Sequence, residues 1–153
     1  MKKKNLILSI AIVCFLGCSN KEEPKPAKSK EELLTNNNSK SWKKTAASTN
    51  GIPTPIQDCE NDDRATFFKD KSFQYTYGSN NCSSLDNDFS TSWTFLSNED
   101  SLRFSLKISA GSGSYTVIPY EYKINELTES KLVLSRNYTI SGTTYTTHET
   151  YTP

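Results

Sequence analysis

Residues 59–82 read CENDDRATFFKDKSFQYTYGSNNC, and the reading of this stretch decides the fold. Two apolar-rich arms, residues 65–68 and 72–77, flank the polar turn Lys69-Asp70-Lys71. This is the pattern of one antiparallel hairpin. Phe73, Tyr75 and Tyr77 share one face of the second arm, because side chains alternate across a strand. Acidic and amide residues gather at the mouth, and Cys59 and Cys82 bracket the whole unit.

What those cysteines do depends on the N-terminus. Lys2, Lys3 and Lys4 precede an apolar run at residues 6–16, interrupted only by Ser9, and then come Gly17 and Cys18. A bilayer span takes about 20 apolar residues, so this shorter run reads as an export signal. A small residue before a cysteine resembles the lipobox of bacterial lipoproteins, with Phe15 where leucine is usual. Residues 1–17 are then a lipoprotein signal peptide, and Cys18 is the acylated mature N-terminus. Residues 18–28 form a charged, proline-containing tether. The alternative is an ordinary signal cleaved nearby, with Cys18 left as a free thiol.

Cys14 leaves with the signal, so Cys59 and Cys82 remain as an even pair in an exported chain, which predicts a disulfide. Two buried free thiols and a metal site are the alternatives. An oxidising compartment disfavours the first, and the lack of a second nearby His or Cys disfavours the second. The full chain has 18 basic and 17 acidic residues, and loss of the three signal lysines leaves 15 against 17. That balance gives no reason to expect nucleic acid or an anionic lipid surface as a partner.

On the N-terminal side of the hairpin, Ser29-Lys30-Glu31-Glu32 has capping-box spacing ahead of Leu33 and Leu34. It predicts a helix of one or two turns ending at Asn36-Asn37-Asn38. Residues 39–49 carry Trp42 in a first strand, and Asn50-Gly51 with Pro53 and Pro55 mark a long loop into Cys59. On the C-terminal side, residues 90–96 place Trp93 and Phe95 on one face. Leu102, Phe104, Leu106 and Ile108 alternate with Arg103, Ser105 and Lys107, a half-buried strand. A Gly/Ser loop at 110–114 follows, then Tyr120, Tyr122 and Ile124 in alternation with Glu121 and Lys123. Leu132, Leu134, Tyr138 and Ile140 lead to Ser141-Gly142, which suits a tight hairpin, and residues 143–151 form a threonine-rich last strand.

Strands joined by short connections pair as antiparallel neighbours, and eight of them can close on themselves. The expected fold class is therefore all-β: a small eight-stranded antiparallel up-and-down barrel over residues 29–153, with a short N-terminal helix capping the end near Trp42. A two-sheet sandwich is the alternative.

The order of landmarks is Trp42, then Cys59-Glu60-x-Asp62-Asp63, then Phe67, Phe73 and Tyr75, then Cys82 and Ser92-Trp93, then Glu126-Leu127 and Leu132-Val133-Leu134. It resembles the small lipocalin-like domains of Bacteroidetes lipoproteins. Lys40 is a departure, standing where lipocalins proper have the glycine of Gly-x-Trp. The resemblance implies an eight-stranded calyx, and lipocalins commonly carry small apolar molecules. Lys21-Glu22-Glu23 resembles the surface-export signal of such lipoproteins, which with the lipobox gives an expected place on the outer membrane. Asp100-Ser101-Leu102 resembles the short O-glycosylation acceptor motif of exported proteins in the same group.

For chemistry, His148 is the only histidine and has no nucleophile motif beside it, so no enzyme is expected. Asp58, Glu60, Asp62 and Asp63 lack the spacing of a calcium loop and read as a solvated acidic loop. A glycosidase-type carboxylate pair is defined by a separation in space that the sequence does not give. No cofactor or metal is expected. Trp42, Tyr75, Trp93, Phe95, Phe104 and Tyr122 are the candidate ligand-lining residues. The same side chains can instead fill a small barrel, and the shortness of the domain favours filling. Two functions follow. One is a monomeric, lipid-anchored module that binds a small apolar or amphipathic ligand. The other is a solid-cored envelope protein that meets a protein partner through loops 51–63 and 110–114.

Overall fold

A computed structural model describes residues 27–84, 86–111 and 114–153. The expected signal peptide, the Cys18 lipidation site and Lys21-Glu22-Glu23 lie outside the described residues.

Helix α1 (Lys30–Thr35) is short and carries the capping box that its sequence encodes. The Glu32 N–H donates to Ser29 Oγ at 3.1 Å, and the Ser29 N–H donates back to Glu32 Oε2 at 2.8 Å. Asn36 ends the helix in the left-handed region at φ 50°. Leu34 is wholly buried beneath it.

The barrel is built from β1 (Ser39–Thr49), β3 (Arg64–Phe68), β4 (Ser72–Thr76), β5 (Phe89–Leu96), β6 (Ser101–Gly111), β7 (Ser114–Leu127), β8 (Leu132–Ile140) and β9 (Thr143–Thr152). Each pairs antiparallel with the next, and β9 returns to β1, so eight strands close. Closure satisfies both edges of the sheet. Strand β1 is shared along its length: residues 39–42 pair with β3, and residues 43–49 pair with β9 across a bulge at Thr45. A second bulge at Asn125 resets β7 against β8, so that Ile124 and Leu127 both meet inward leucines of β8.

The loop expected between residue 50 and Cys59 is corrected in part. It contains a short strand, β2 (Ile52–Thr54), folded back on β1. Asn50 (φ 50°) and Gly51 (φ 79°) form its two-residue turn. Both central residues of such a turn need positive φ, which Asn-Gly supplies. Pro53 is tolerated because β2 pairs only through β1. The Gly/Ser loop at 110–114 is also shorter than expected, since β6 runs to Gly111 and β7 starts at Ser114.

Inward residues divide the interior into two halves. The half nearest α1 is filled. Phe67 packs on Phe73 (centroids 5.0 Å), Trp93 (6.0 Å) and Phe104 (5.5 Å), and Phe104 stacks on Tyr122 at 5.0 Å. Leu34, Leu102, Leu132 and Leu134 complete this core. Trp42 Nε1 donates to the Leu34 carbonyl at 3.0 Å, tying the helix to the first strand. Lys40 fits without the glycine of Gly-x-Trp. Its ammonium lies 4.2 Å from the Trp42 ring centroid and donates to the Leu33 carbonyl at 3.2 Å. It thus satisfies a carbonyl at the helix C-terminus while its ammonium sits over the tryptophan.

Candidate functional site

In the other half of the barrel the inward side chains do not meet. They enclose a cavity of about 420 Å³, within the range of small-molecule sites. It opens beside the disulfide between Cys59 and Cys82, whose Cα atoms are 5.1 Å apart.

Two loops make the mouth. One is a 3-10 turn at Asp58–Glu60, and the other follows β4. The disulfide joins them, and Asp62 joins them again, accepting from the Ser79 N–H at 2.7 Å, the Ser79 hydroxyl at 3.1 Å and the Asn80 N–H at 3.3 Å. These donors, the Ser79 N–H foremost, hold the Asp62 carboxyl below its ordinary pKa. Burial acts to raise Glu60, but the Gln57 N–H and Lys44 more than offset it, so its carboxyl also lies low. The Lys44–Glu60 ion pair, 3.0 Å, fastens the 3-10 turn to β1. The acidic cluster of the opening stretch is thus occupied in holding the mouth together.

Deeper in, the wall is both aromatic and polar. Tyr75 donates to Asp63 Oδ2 at 2.9 Å, and Tyr151 donates to Glu149 Oε2 at 2.6 Å. Burial pushes the Asp63 carboxyl up, against the lowering effect of the Tyr75 hydrogen bond. Burial also raises Tyr75, Tyr122 and Tyr151, with Asp63 adding to the effect on Tyr75 and Glu149 to that on the other two. Tyr77 is pushed up to about 12 by burial and then by Asp86. All four stay phenols, hence hydrogen-bond donors, across the physiological range. Arg136 lies on the opposite wall with its guanidinium 4.2 Å from the Tyr120 ring centroid. Two buried polar atoms on this lining, Asp63 Oδ1 and Arg136 Nε, have no hydrogen-bond partner among the described residues.

The six candidate aromatics separate by depth. Trp42, Tyr75 and Tyr122 line the cavity. Trp93 and Phe104 are buried in the filled half, where they pair directly across β5 and β6. Phe95 lies edge-on to Trp93 at 5.2 Å, away from the cavity wall. Alternation identifies inward residues but does not give their height, and height separates core from cavity. Arg136, Glu149 and Tyr151 were not singled out from the sequence. A signal existed: Arg136 continues the inward parity of Leu132 and Leu134, and the Ser141-Gly142 hairpin carries that parity onto Glu149 and Tyr151. His148 is exposed on β9, facing outward opposite Ser135.

A closed antiparallel barrel, plugged by a helix at one end and hollow at the other, defines a calyx, a fold with the capacity to hold a ligand. The family description "lipocalin-like domain" matches residues 39–134, and the chain belongs to that family. No curated protein matches the chain. The matched span stops before Arg136 and before the closing strand β9.

Proposed function

We propose that this protein is a lipid-anchored envelope protein that holds a small amphipathic molecule in its calyx. The observation that carries the reading is the cavity of about 420 Å³ at the end away from α1. Lipocalin-like domains are binding modules, and the cavity gives this one a place to bind. Its lining favours an amphipathic over a purely apolar ligand. Trp42, Phe89 and Leu106 supply apolar surface, while the orphaned Asp63 Oδ1 and Arg136 Nε would gain no partner from a hydrocarbon. The solid-cored alternative retains support only from the filled half.

The basic n-region, apolar run and Gly17-Cys18 support anchoring through Cys18, and Lys21-Glu22-Glu23 supports a place on the outer membrane, facing outward. The expected result is that Cys18→Ala releases the protein from the membrane fraction. Native mass spectrometry of the full chain purified from its membrane tests the ligand: a single bound small molecule is expected. An empty protein, together with a crystal structure whose upper interior is filled, would defeat the reading.

A further inference from the structure

The Arg136 wall assigns a chemistry to the occupant of the calyx, an inference that rests on the proposed ligand-binding function. An arginine is strongly hydrated when free, and bringing its Nε out of water without a partner costs stability unless something else supplies an acceptor. Here the Nε is buried and unpartnered. Among the described residues no carboxylate forms an ion pair with the guanidinium. Its flat face is occupied by rings instead: Tyr120 at 4.2 Å, Tyr138 at 5.5 Å and Tyr122 at 5.6 Å from the guanidinium carbon. Stacking on one face leaves the planar donor edge free for hydrogen bonding. Tyr122, held as a phenol by burial, lines the cavity beside it.

Among the described residues, none of the acids of the cavity pairs with Arg136. Glu149 accepts from Tyr151, Glu60 pairs with Lys44, and Asp86 accepts from the Ser83 N–H. Asp63 accepts from Tyr75 and lies just before β3, three strands round the barrel from β8 by way of β9 and β1. The floor limits the shape of the occupant. Phe67, Phe73, Phe104 and Trp93 fill the other half of the lumen, so a long chain cannot run down the axis.

We infer that the calyx binds a compact organic acid, with a ring-sized apolar body among the aromatic side chains and a carboxylate on the donor edge of Arg136. Arg136 is then the residue that sets specificity for charge. A planar carboxylate matches the guanidinium fork in two parallel hydrogen bonds. Arg136 itself lies just beyond the span that the family description matches.

Calorimetric titration of the full chain in nanodiscs tests this, with empty nanodiscs as the blank. Three probes share one ring system and differ in head group: naphthylacetate, naphthylethanol and naphthylethylamine. The wild type is expected to bind the acid about tenfold more tightly than the alcohol, as a charge-assisted contact implies. It is expected to bind the amine more weakly than the alcohol. Arg136→Met should abolish the preference for the acid over the alcohol, and Arg136→Lys should restore part of that preference. Equal binding of acid and alcohol by the wild type would overturn the carboxylate inference and leave the calyx reading standing. So would an undiminished preference in Arg136→Met. Binding of none of the three would remove both. The wild-type preference decides by itself if a variant fails to fold, which circular dichroism reports.

Discussion

Tyr75 gives its hydroxyl to one oxygen of Asp63 at 2.9 Å and leaves the other buried without a partner. The pair ties the two arms of the β3–β4 hairpin together on the cavity wall. Tyr75→Phe strips Asp63 of its donor, and an unsatisfied buried group costs about 1–3 kcal/mol. Urea denaturation at neutral pH should show a loss of that size. The pair also predicts a pH effect. Burial raises Asp63 above its ordinary value of 3.8, so the folded chain holds this proton more tightly than the unfolded chain does. The contribution of Asp63 to stability therefore falls as pH rises from the unfolded value through the folded one. Asp63→Asn removes that fall. The stability of wild type relative to Asp63→Asn should decline with rising pH across this window, and a difference independent of pH would contradict the assignment.

Gly78 is required where it stands. Its φ is +60°, and a Cβ there would lie 2.3 Å from Cγ of Asp62. The left-handed backbone alone costs a side chain about 1–2 kcal/mol, and the clash displaces the carboxylate that joins the two mouth loops. Gly78→Ala should destabilise by at least that much. Hydrogen exchange should show faster exchange at the Ser79 and Asn80 amides, which donate to Asp62.

The disulfide spans 23 residues. Closing a loop of this size stabilises by about 3 kcal/mol in the chain-entropy treatment. Cys59→Ser with Cys82→Ser should lower the urea midpoint accordingly. The folded barrel should keep its strand signal in circular dichroism, because the β-ladder closes without the bridge.

The helix is a plug, with Leu34 wholly buried. Leu34→Ala should cost about 2–5 kcal/mol. Tryptophan emission should shift to the red, because Trp42 holds the helix through the Leu34 carbonyl and is covered by it. An unchanged midpoint would show that α1 does not seal the barrel.

Much of this fold could be read from local signals. Leu102, Phe104 and Leu106 announce a half-buried strand, Ser29-x-x-Glu32 a helix start, and Cys59 with Cys82 a bridge. Strand β2 was hidden by Pro53 within it and Pro55 just beyond it, although Asn50-Gly51 is itself a hairpin signal. The bulges at Thr45 and Asn125 arise from pairing between strands and leave no local mark. The site was harder to read. Tyr75 and Tyr122 stood out as inward aromatics, but so did Trp93 and Phe104, and only the closed register separates cavity from core. Arg136 passed unnoticed because a charged residue in a strand ordinarily faces water. Its parity with Leu132 and Leu134 is what turns it inward.

The central claim is that the upper half of the barrel is hollow and holds a ligand. Leu106 is half-buried on the cavity wall, on β6, two strands from Arg136 on β8. Titration of neutral naphthylethanol into wild type and into Leu106→Trp tests the claim most directly. The account predicts one site in the wild type and none in Leu106→Trp, with both proteins folded. Absence of binding in the wild type, or equal binding in the two, would contradict it.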